Sequence, residues 1–364
     1  MVRELNWQCS DYDVVVYYKT WDDGTWALVG FWVDDGTSIG DEFRLLELEE
    51  AIRRRFGISS DGEACWILGT NIRHNAESKF IFISQKDYIE NIGRKFNIEN
   101  CRPVSTPLPQ GVNYGAISRP ETDEEKIEMA NYPYRELVGS LMFASVVSRP
   151  NIAHSVNKLA QYSSNPGLSH WKLAIRILIY LYSTRDYELR LGGDALCLHA
   201  YSDADFAGDT EDRKSTGGYA IFLGMGTVSW SSKKQSTVAL SSTESEYIAL
   251  SEAAREVMWI RHFLEELDIF YDEPTFIFEN NQGMIAFASN QRVICHMKHI
   301  EVKHHFIWHL IEIGTIQVVY RRTRDMTADI LTKTLPLPTH FHHAQRLGVV
   351  NTSRLEEECG DDES

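Results

Sequence analysis

The sequence predicts an α/β chain in two parts, a small sheet with a helical bundle and then a mixed five-stranded sheet with flanking helices. Three observations predict it. Apolar residues alternate in short segments near the start, and from 134 to 182 they recur three times at helical spacing. Beyond the paired glycines Gly192-Gly193, three hairpin-linked strands are followed by a helix and two helix-separated strands. At 364 residues, 43% hydrophobic and 24% charged, the chain is long enough for two domains and too apolar for disorder.

Residues 14–19 and 26–33 alternate and read as the strands of a hairpin, with Asp22, Asp23 and Gly24 as its turn. A helix is expected over 42–56, where Phe43, Leu45, Leu46, Leu48, Ile52 and Phe56 supply the apolar positions. Residues 65–73 and 79–84 read as a second strand pair, and 85–96 as a helix. The run from Cys101 to Pro109 then breaks all periodicity, because Pro103, Pro107 and Pro109 force an extended surface segment. The three helices between 134 and 182 are separated at Arg149-Pro150 and at Asn165-Pro166-Gly167. The second half reads as strands at 197–202, 218–223 and 227–231, a long helix at 242–267, a strand at 275–278 and a helix at 282–288. A helix near 300–313, a strand at 316–320 and a short helix around 326–333 complete it. Gly224-Met225-Gly226 supplies the tight turn between the second and third of these strands. The expected division is 1–192, 193–336 and a C-terminal extension at 337–364.

Composition narrows the function. The six cysteines include no CxxC pair, which argues against a zinc ribbon, a dithiol redox motif and a secreted disulfide scaffold. The N-terminus carries no apolar h-region and no apolar run approaches the roughly 20 residues that span a bilayer, so a soluble protein with no membrane partner is expected. A net charge of −16 would ordinarily oppose a nucleic-acid partner. Much of the excess lies in the tail, at Glu356, Glu357, Glu358, Asp361, Asp362 and Glu363, so charge leaves that partner open.

Four acids stand at or near the ends of the expected elements. Asp203 ends the first strand of the second half, Glu246 opens the long helix, Glu279 ends the fourth strand, and Asp329 lies in the last helix. Clustered carboxylates raise one another's pKa unless cations neutralise them. A donor set of oxygen alone favours magnesium or manganese over zinc. Two such ions about 3.5 to 4 Å apart clamp the attacking and leaving oxygens of a phosphodiester.

The local words are more specific than the spacing. Tyr201-Ser-Asp-Ala-Asp-Phe-Ala-Gly-Asp209, Asp212-Arg-Lys-Ser-Thr-Gly-Gly-Tyr219, Ser241-Ser-Thr-Glu-Ser-Glu-Tyr-Ile-Ala-Leu250, Met297-Lys-His-Ile-Glu-Val-Lys-His-His-Phe306 and Ala328-Asp-Ile-Leu-Thr-Lys333 resemble, in order and context, the ribonuclease H domain of copia-type LTR retrotransposon Pol polyproteins. Upstream, Phe31-Trp-Val-Asp-Asp35 resembles the reverse transcriptase palm turn, whose two acids, here Asp34 and Asp35, hold metal for nucleotidyl transfer. Leu68-Gly-Thr-Asn-Ile72, Ile83-Ser-Gln-Lys-Asp-Tyr88, Pro103-Val-Ser-Thr-Pro-Leu108 and Tyr134-Arg-Glu-Leu-Val-Gly-Ser-Leu141 resemble later palm and thumb words of the same family.

The resemblance implies a partial reverse transcriptase palm and thumb followed by a ribonuclease H-like domain that hydrolyses the RNA strand of an RNA:DNA hybrid. It implies that Asp203 bridges two ions, that Glu246 and Glu279 complete one, and that Asp329 holds the other. A complete reverse transcriptase subunit is a further implied partner, and cytoplasm with nuclear passage the implied location.

The departures are as informative. The family's earlier palm aspartate and its fingers precede the point where this sequence starts, so Asp34 and Asp35 are expected to be vestigial and polymerase activity is not expected. Trp32 replaces the usual tyrosine of the palm turn and Gly36 the usual apolar residue. Phe278-Glu279-Asn280 stands where the family has aspartate-asparagine, and magnesium tolerates displaced ligands poorly. A second reading is therefore a decayed, non-catalytic remnant that at most binds nucleic acid.

Other polar residues have plainer readings. Asp205, Asp209 and Asp212 are expected as loop and turn acids. His299, Lys303 and His304 face either nucleic-acid phosphate or solvent. His305 and His309 have helical i, i+4 spacing, but Phe306 stands where an HExxH zinc word needs glutamate. These, with His340, His342 and His343, are read as surface and tail histidines. Arg53, Arg54, Arg55, Arg321, Arg322 and Arg324 are solvated charge first, and Trp171 and Trp230 are core.

Overall fold

The computed structural model describes residues 6–33, 35–59, 62–112, 119–193, 195–289 and 301–352. They fall into two compact units, residues 1–72 with 258–272, and residues 73–257 with 273–364.

The smaller unit is built on a four-stranded sheet of β1 (Gln8–Cys9), β2 (Val16–Thr20), β3 (Trp26–Trp32) and β4 (Asp35–Gly40), adjacent in that order. Asp22, Asp23 and Gly24 form the expected turn, with Gly24 at a φ of +82° and Asp23 accepting from the Thr25 amide. The helix α1 (Glu42–Arg53) starts where expected but stops short of Phe56. It packs Leu48 on Trp7, Ala27 and Val29, and Trp7 meets Trp21 edge-on at 5.9 Å. Arg53 and Arg54 pair with Glu49 and Glu50 one turn back, as solvated charge should. The stretch read as one strand over 65–73 is instead two, β5 (Trp66–Ile67) and β6 (Thr70–Asn75). Leu68 and Gly69, both at positive φ, turn the chain between them.

The larger unit opens with β7 (Phe80–Ser84) and α2 (Lys86–Lys95), followed by α3 (Asp123–Ala130), α4 (Tyr134–Val147), α5 (Ala153–Ala160) and α6 (Leu168–Ser183). Pro150 and the Asn165–Gly167 segment break the helices as the sequence predicts. Their apolar faces bury Leu137, Leu141, Ile152, Leu159, Ile177 and Leu181 together. A strand the sequence did not reveal, β8 (Tyr187–Gly192), pairs antiparallel with β7.

The second sheet is formed by β9 (Leu198–Asp205), β10 (Thr216–Leu223), β11 (Gly226–Lys234), β12 (Thr275–Glu279) and β13 (Ile316–Tyr320). Its spatial order is β11-β10-β9-β12-β13. The first three strands are antiparallel and β9, β12 and β13 are parallel, the mixed five-stranded sheet predicted. Between these strands run α7 (Ser242–Glu266), α8 (Gln282–Ala288) and α9 (Glu301–Glu312), and after them α10 (Asp329–Thr332), α11 (Leu337–Arg346) and β14 (Val349–Asn351). No helix among the described residues is long and apolar enough to cross a membrane.

Gly192 and Gly193 lie inside the larger unit rather than at the edge between units. The reason is β14, which returns from the C-terminal extension to pair antiparallel with β8 and ties the flanks of the β9–β13 sheet together. Gly226 is required at the start of β11, because a Cβ there would lie 2.5 Å from Leu191 Cα. His340 and His343, read as tail histidines, are buried in α11 instead. Tyr180 OH and His340 Nε2 lie 3.1 Å apart and hydrogen-bonded.

Candidate active site

The central strand β9 positions the site. Its residues alternate between faces, so Tyr201 and Asp203 point to one side and Ala200, Ser202 and Ala204 to the other. On the Asp203 side, Tyr201 joins Phe222, Met326, Leu331 and Leu347 in one apolar cluster under α10 and α11. Asp203 stands opposite Gly218 on β10. A Cβ on Gly218 would fall 2.8 Å from Leu331 Cβ and 2.9 Å from Thr332 Cγ2, so the glycine lets α10 lie directly on the sheet beside Asp203. Gly217, its neighbour, would place a Cβ 3.5 Å from Ala249 Cβ, which marks the opposite face as the one α7 covers.

Each acid is set by local structure. The start of α7 is fixed by an N-cap, in which the Glu244 amide donates to Ser241 Oγ at 3.1 Å while Glu244 Oε2 accepts from the Leu240 amide at 2.8 Å. Glu246 follows within the same turn, and its carboxylate accepts from the Ala204 backbone at the end of β9. Glu279 ends β12; it accepts from Ser202 Oγ at 2.9 Å and from the amides of Asn280 and Asn281 at 3.1 and 3.4 Å. Asp329 is the first residue of α10, where a carboxylate complements the helix dipole.

All four are nearly inaccessible: Asp203 is 2% exposed, Glu246 6%, Glu279 0% and Asp329 4%. Burial, then the charge of Glu279 and of Asp203, drives the Glu246 carboxyl far above its ordinary range. Burial and Asp203 do the same to Glu279, and they lift Asp329 to about 7. The four acids that the sequence placed on separate elements thus gather around the end of β9. Glu246 Oε2 is buried with no hydrogen-bond partner in the structure.

Two neighbours that sequence reading passed over share the site. Thr332 donates its hydroxyl to Asp203 Oδ2. Lys333 Nζ lies 2.9 Å from Asp329 Oδ1 and 3.7 Å from Asp203 Oδ2. The i, i+4 spacing of Asp329 and Lys333 is the signal that could have found the pair. Oxygen-only donors, a surplus of buried carboxyl groups and the orphaned Glu246 oxygen suit a hard divalent cation. Among the described residues no three His, Cys, Asp or Glu side chains stand ready to enclose one.

The remaining candidates fall elsewhere. Asp35 begins β4 opposite Trp32, exposed; Asp34 lies outside the described residues, and Val33 before it has a φ of +52°, a strained value for a β-branched residue. His299 also lies outside them. His304 is 1% exposed, packed against Tyr247 and Phe287, so its ring faces the core and not phosphate or solvent. Lys303 Nζ engages Ser251 Oγ at 3.2 Å and Glu252 at 3.3 Å. Asp209 is no simple loop acid. It is buried and accepts from Lys158 at 3.0 Å and Lys234 at 2.8 Å, contacts that hold its carboxyl well below the usual range.

A sheet of order β11-β10-β9-β12-β13 with acids gathered at the end of its middle strand is the layout that the sequence resemblance to a ribonuclease H domain implies. The retrovirus-related Pol polyprotein from transposon TNT 1-94 of Nicotiana tabacum is 37% identical to the chain over 89% of its length, and that from transposon RE2 of Arabidopsis thaliana is 34% identical over 90%. The chain belongs to this family, the retrovirus-related Pol polyproteins of transposons. It spans 24% and 22% of the length of those two polyproteins. Among solved structures, LC11-RNase H1 isolated from compost matches at 15% identity, over 38% of this chain and 93% of that one, with a TM-score of 0.29. No protein-family model matches the chain.

Proposed function

We propose that the chain is a metal-dependent ribonuclease that hydrolyses the RNA strand of an RNA:DNA hybrid. The observation that carries this reading is the gathering of Asp203, Glu246, Glu279 and Asp329, buried and mutually repelling, at the end of β9. These four would hold magnesium or manganese, and the bound ions would supply water activation and neutralise the leaving oxygen. The chain's own part is to fix the carboxylates: β9 and β12 hold two of them on a rigid sheet, the Ser241 cap of α7 sets Glu246, and Gly218 seats Asp329. No covalent nucleophile is required. In the same reading residues 1–192 are a partial reverse transcriptase, 193–336 the nuclease and 337–364 an extension. Asp34 and Asp35 are assigned no activity of their own, and a complete reverse transcriptase is the partner to seek by co-purification.

The test is cleavage of a labelled RNA:DNA hybrid by the full chain, in magnesium and then manganese, beside Asp203→Asn. The expected result is cleavage that needs metal and falls by at least about a hundredfold in the variant, with the melting temperature retained. Cleavage that survives the substitution would sink the assignment. One observation favours a second reading, the non-catalytic remnant: Glu279, the longer substitute, is turned onto Ser202 and two backbone amides. A folded chain that cuts in neither metal would support it.

A further inference from the structure

We propose that Lys333 is a built-in counter-ion of the acid cluster, and that its ammonium competes with a divalent cation for the Asp203–Asp329 pair. The inference rests on the reading of this cluster as a metal site. Two carboxylates that are 2% and 4% exposed cannot both stay ionised in a dry pocket without a neighbouring positive charge. The structure supplies one from within: Nζ is 2.9 Å from Asp329 Oδ1 and 3.7 Å from Asp203 Oδ2. Thr332, one residue earlier, donates its hydroxyl to that same Asp203 oxygen, so a hydrogen bond and an ion pair from consecutive residues converge on it. A divalent cation drawn to this pair would need the very oxygens that now face Nζ and the Thr332 hydroxyl.

The lysine can yield. Its side chain is 37% exposed although both of its partners are buried, so the four-carbon stem has a route to solvent that the carboxylates lack. An ammonium offers no vacant orbital to polarise water, and a single positive charge leaves much of the cluster's negative charge uncompensated. Lys333 therefore keeps the empty site folded and raises the concentration of cation needed to fill it. The ligand class is a hard divalent cation, and the lysine sets the threshold at which it enters.

The test measures manganese binding to the full chain by the electron paramagnetic signal of free Mn2+, with melting curves in a chelator and in Mn2+. Native chain, Lys333→Gln, Lys333→Arg and Asp203→Asn are compared. Lys333→Gln is expected to melt lower in the chelator and to bind Mn2+ about tenfold more tightly, the scale of one lost ion pair in a partly buried site. Lys333→Arg keeps the charge and is expected to bind no more tightly than the native chain. A Lys333→Gln chain that folds only with Mn2+ also supports the proposal. Equal affinity in the native chain and Lys333→Gln, or tighter binding by Lys333→Arg, overturns it, provided Asp203→Asn has lost binding. If Asp203→Asn binds as the native chain does, or none of the four chains binds, the metal-site reading itself fails.

Discussion

Glu279 shows how much one methylene can decide. Its carboxylate sits at the end of β12, and its reach is spent on Ser202 Oγ and the amides of Asn280 and Asn281. Asp at this position would stop short of Ser202 and lie closer to the strand end, where the resemblance places the family's own aspartate. If the chain is a nuclease slowed by this change, Glu279→Asp should raise the rate of hybrid cleavage about tenfold or more, measured at saturating magnesium. An unchanged rate would mean that the longer side chain is not what limits the site. Sequence reading could name Glu279 and the other three acids because each falls at or near the end of an expected element and within a word that resembles the family's. It could not reveal that Lys333 and Thr332 close on Asp203, because those contacts depend on where α10 comes to rest.

At the scale of elements, the site depends on how α10 is seated. This helix has a single turn, too short to hold itself together, so its position comes from packing against β10 and β9. Gly218 is the contact that permits it. Gly218→Ala would push a methyl group against Leu331 and Thr332, at a cost of about 1 to 3 kcal/mol. A lower melting temperature together with reduced hybrid cleavage is the expected outcome; a variant as stable and active as the native chain would show that α10 has room to spare. The helices over 134–182 were legible because proline and glycine punctuate them, and β9 to β13 because hairpin glycines and a long amphipathic helix do. The strands β4, β8 and β14 were not. Asp35-Gly-Thr-Ser-Ile-Gly40 is nearly all polar or glycine and exposed along its length, and β8 and β14 are strands only because they pair with partners distant in the chain.

At the scale of the whole molecule, stability has a pH dependence written into buried imidazoles. Burial holds His154, His170, His340 and His343 neutral down to about 4, against 6.5 for an unburied ring. Folded pKa values lie below unfolded ones, so their contribution is full above about pH 6.5 and is lost as pH falls towards 4. The acid cluster has the opposite sign, since its carboxyls are raised in the fold and protonation relieves their repulsion. His343→Leu separates the two: its urea midpoint should fall less between pH 7 and pH 4.5 than that of the native chain. An identical fall in both would remove His343 from the explanation. The burial of these rings was illegible in the sequence, where histidines near an acidic C-terminus look solvated, and only the packing of α11 encloses two of them.

The ladder between β8 and β14 also has a meaning in time. The two strands are neighbours in space, yet the whole of β9 to β13 is made between them. At about 5 to 20 residues per second, one edge of β8 therefore waits on the order of ten seconds on the ribosome for its partner to be synthesised. Through that interval it is an open hydrogen-bonding edge, available to another nascent copy as readily as to its own chain. The closing strand arrives last, so a break anywhere in translation before Val349 leaves that edge bare.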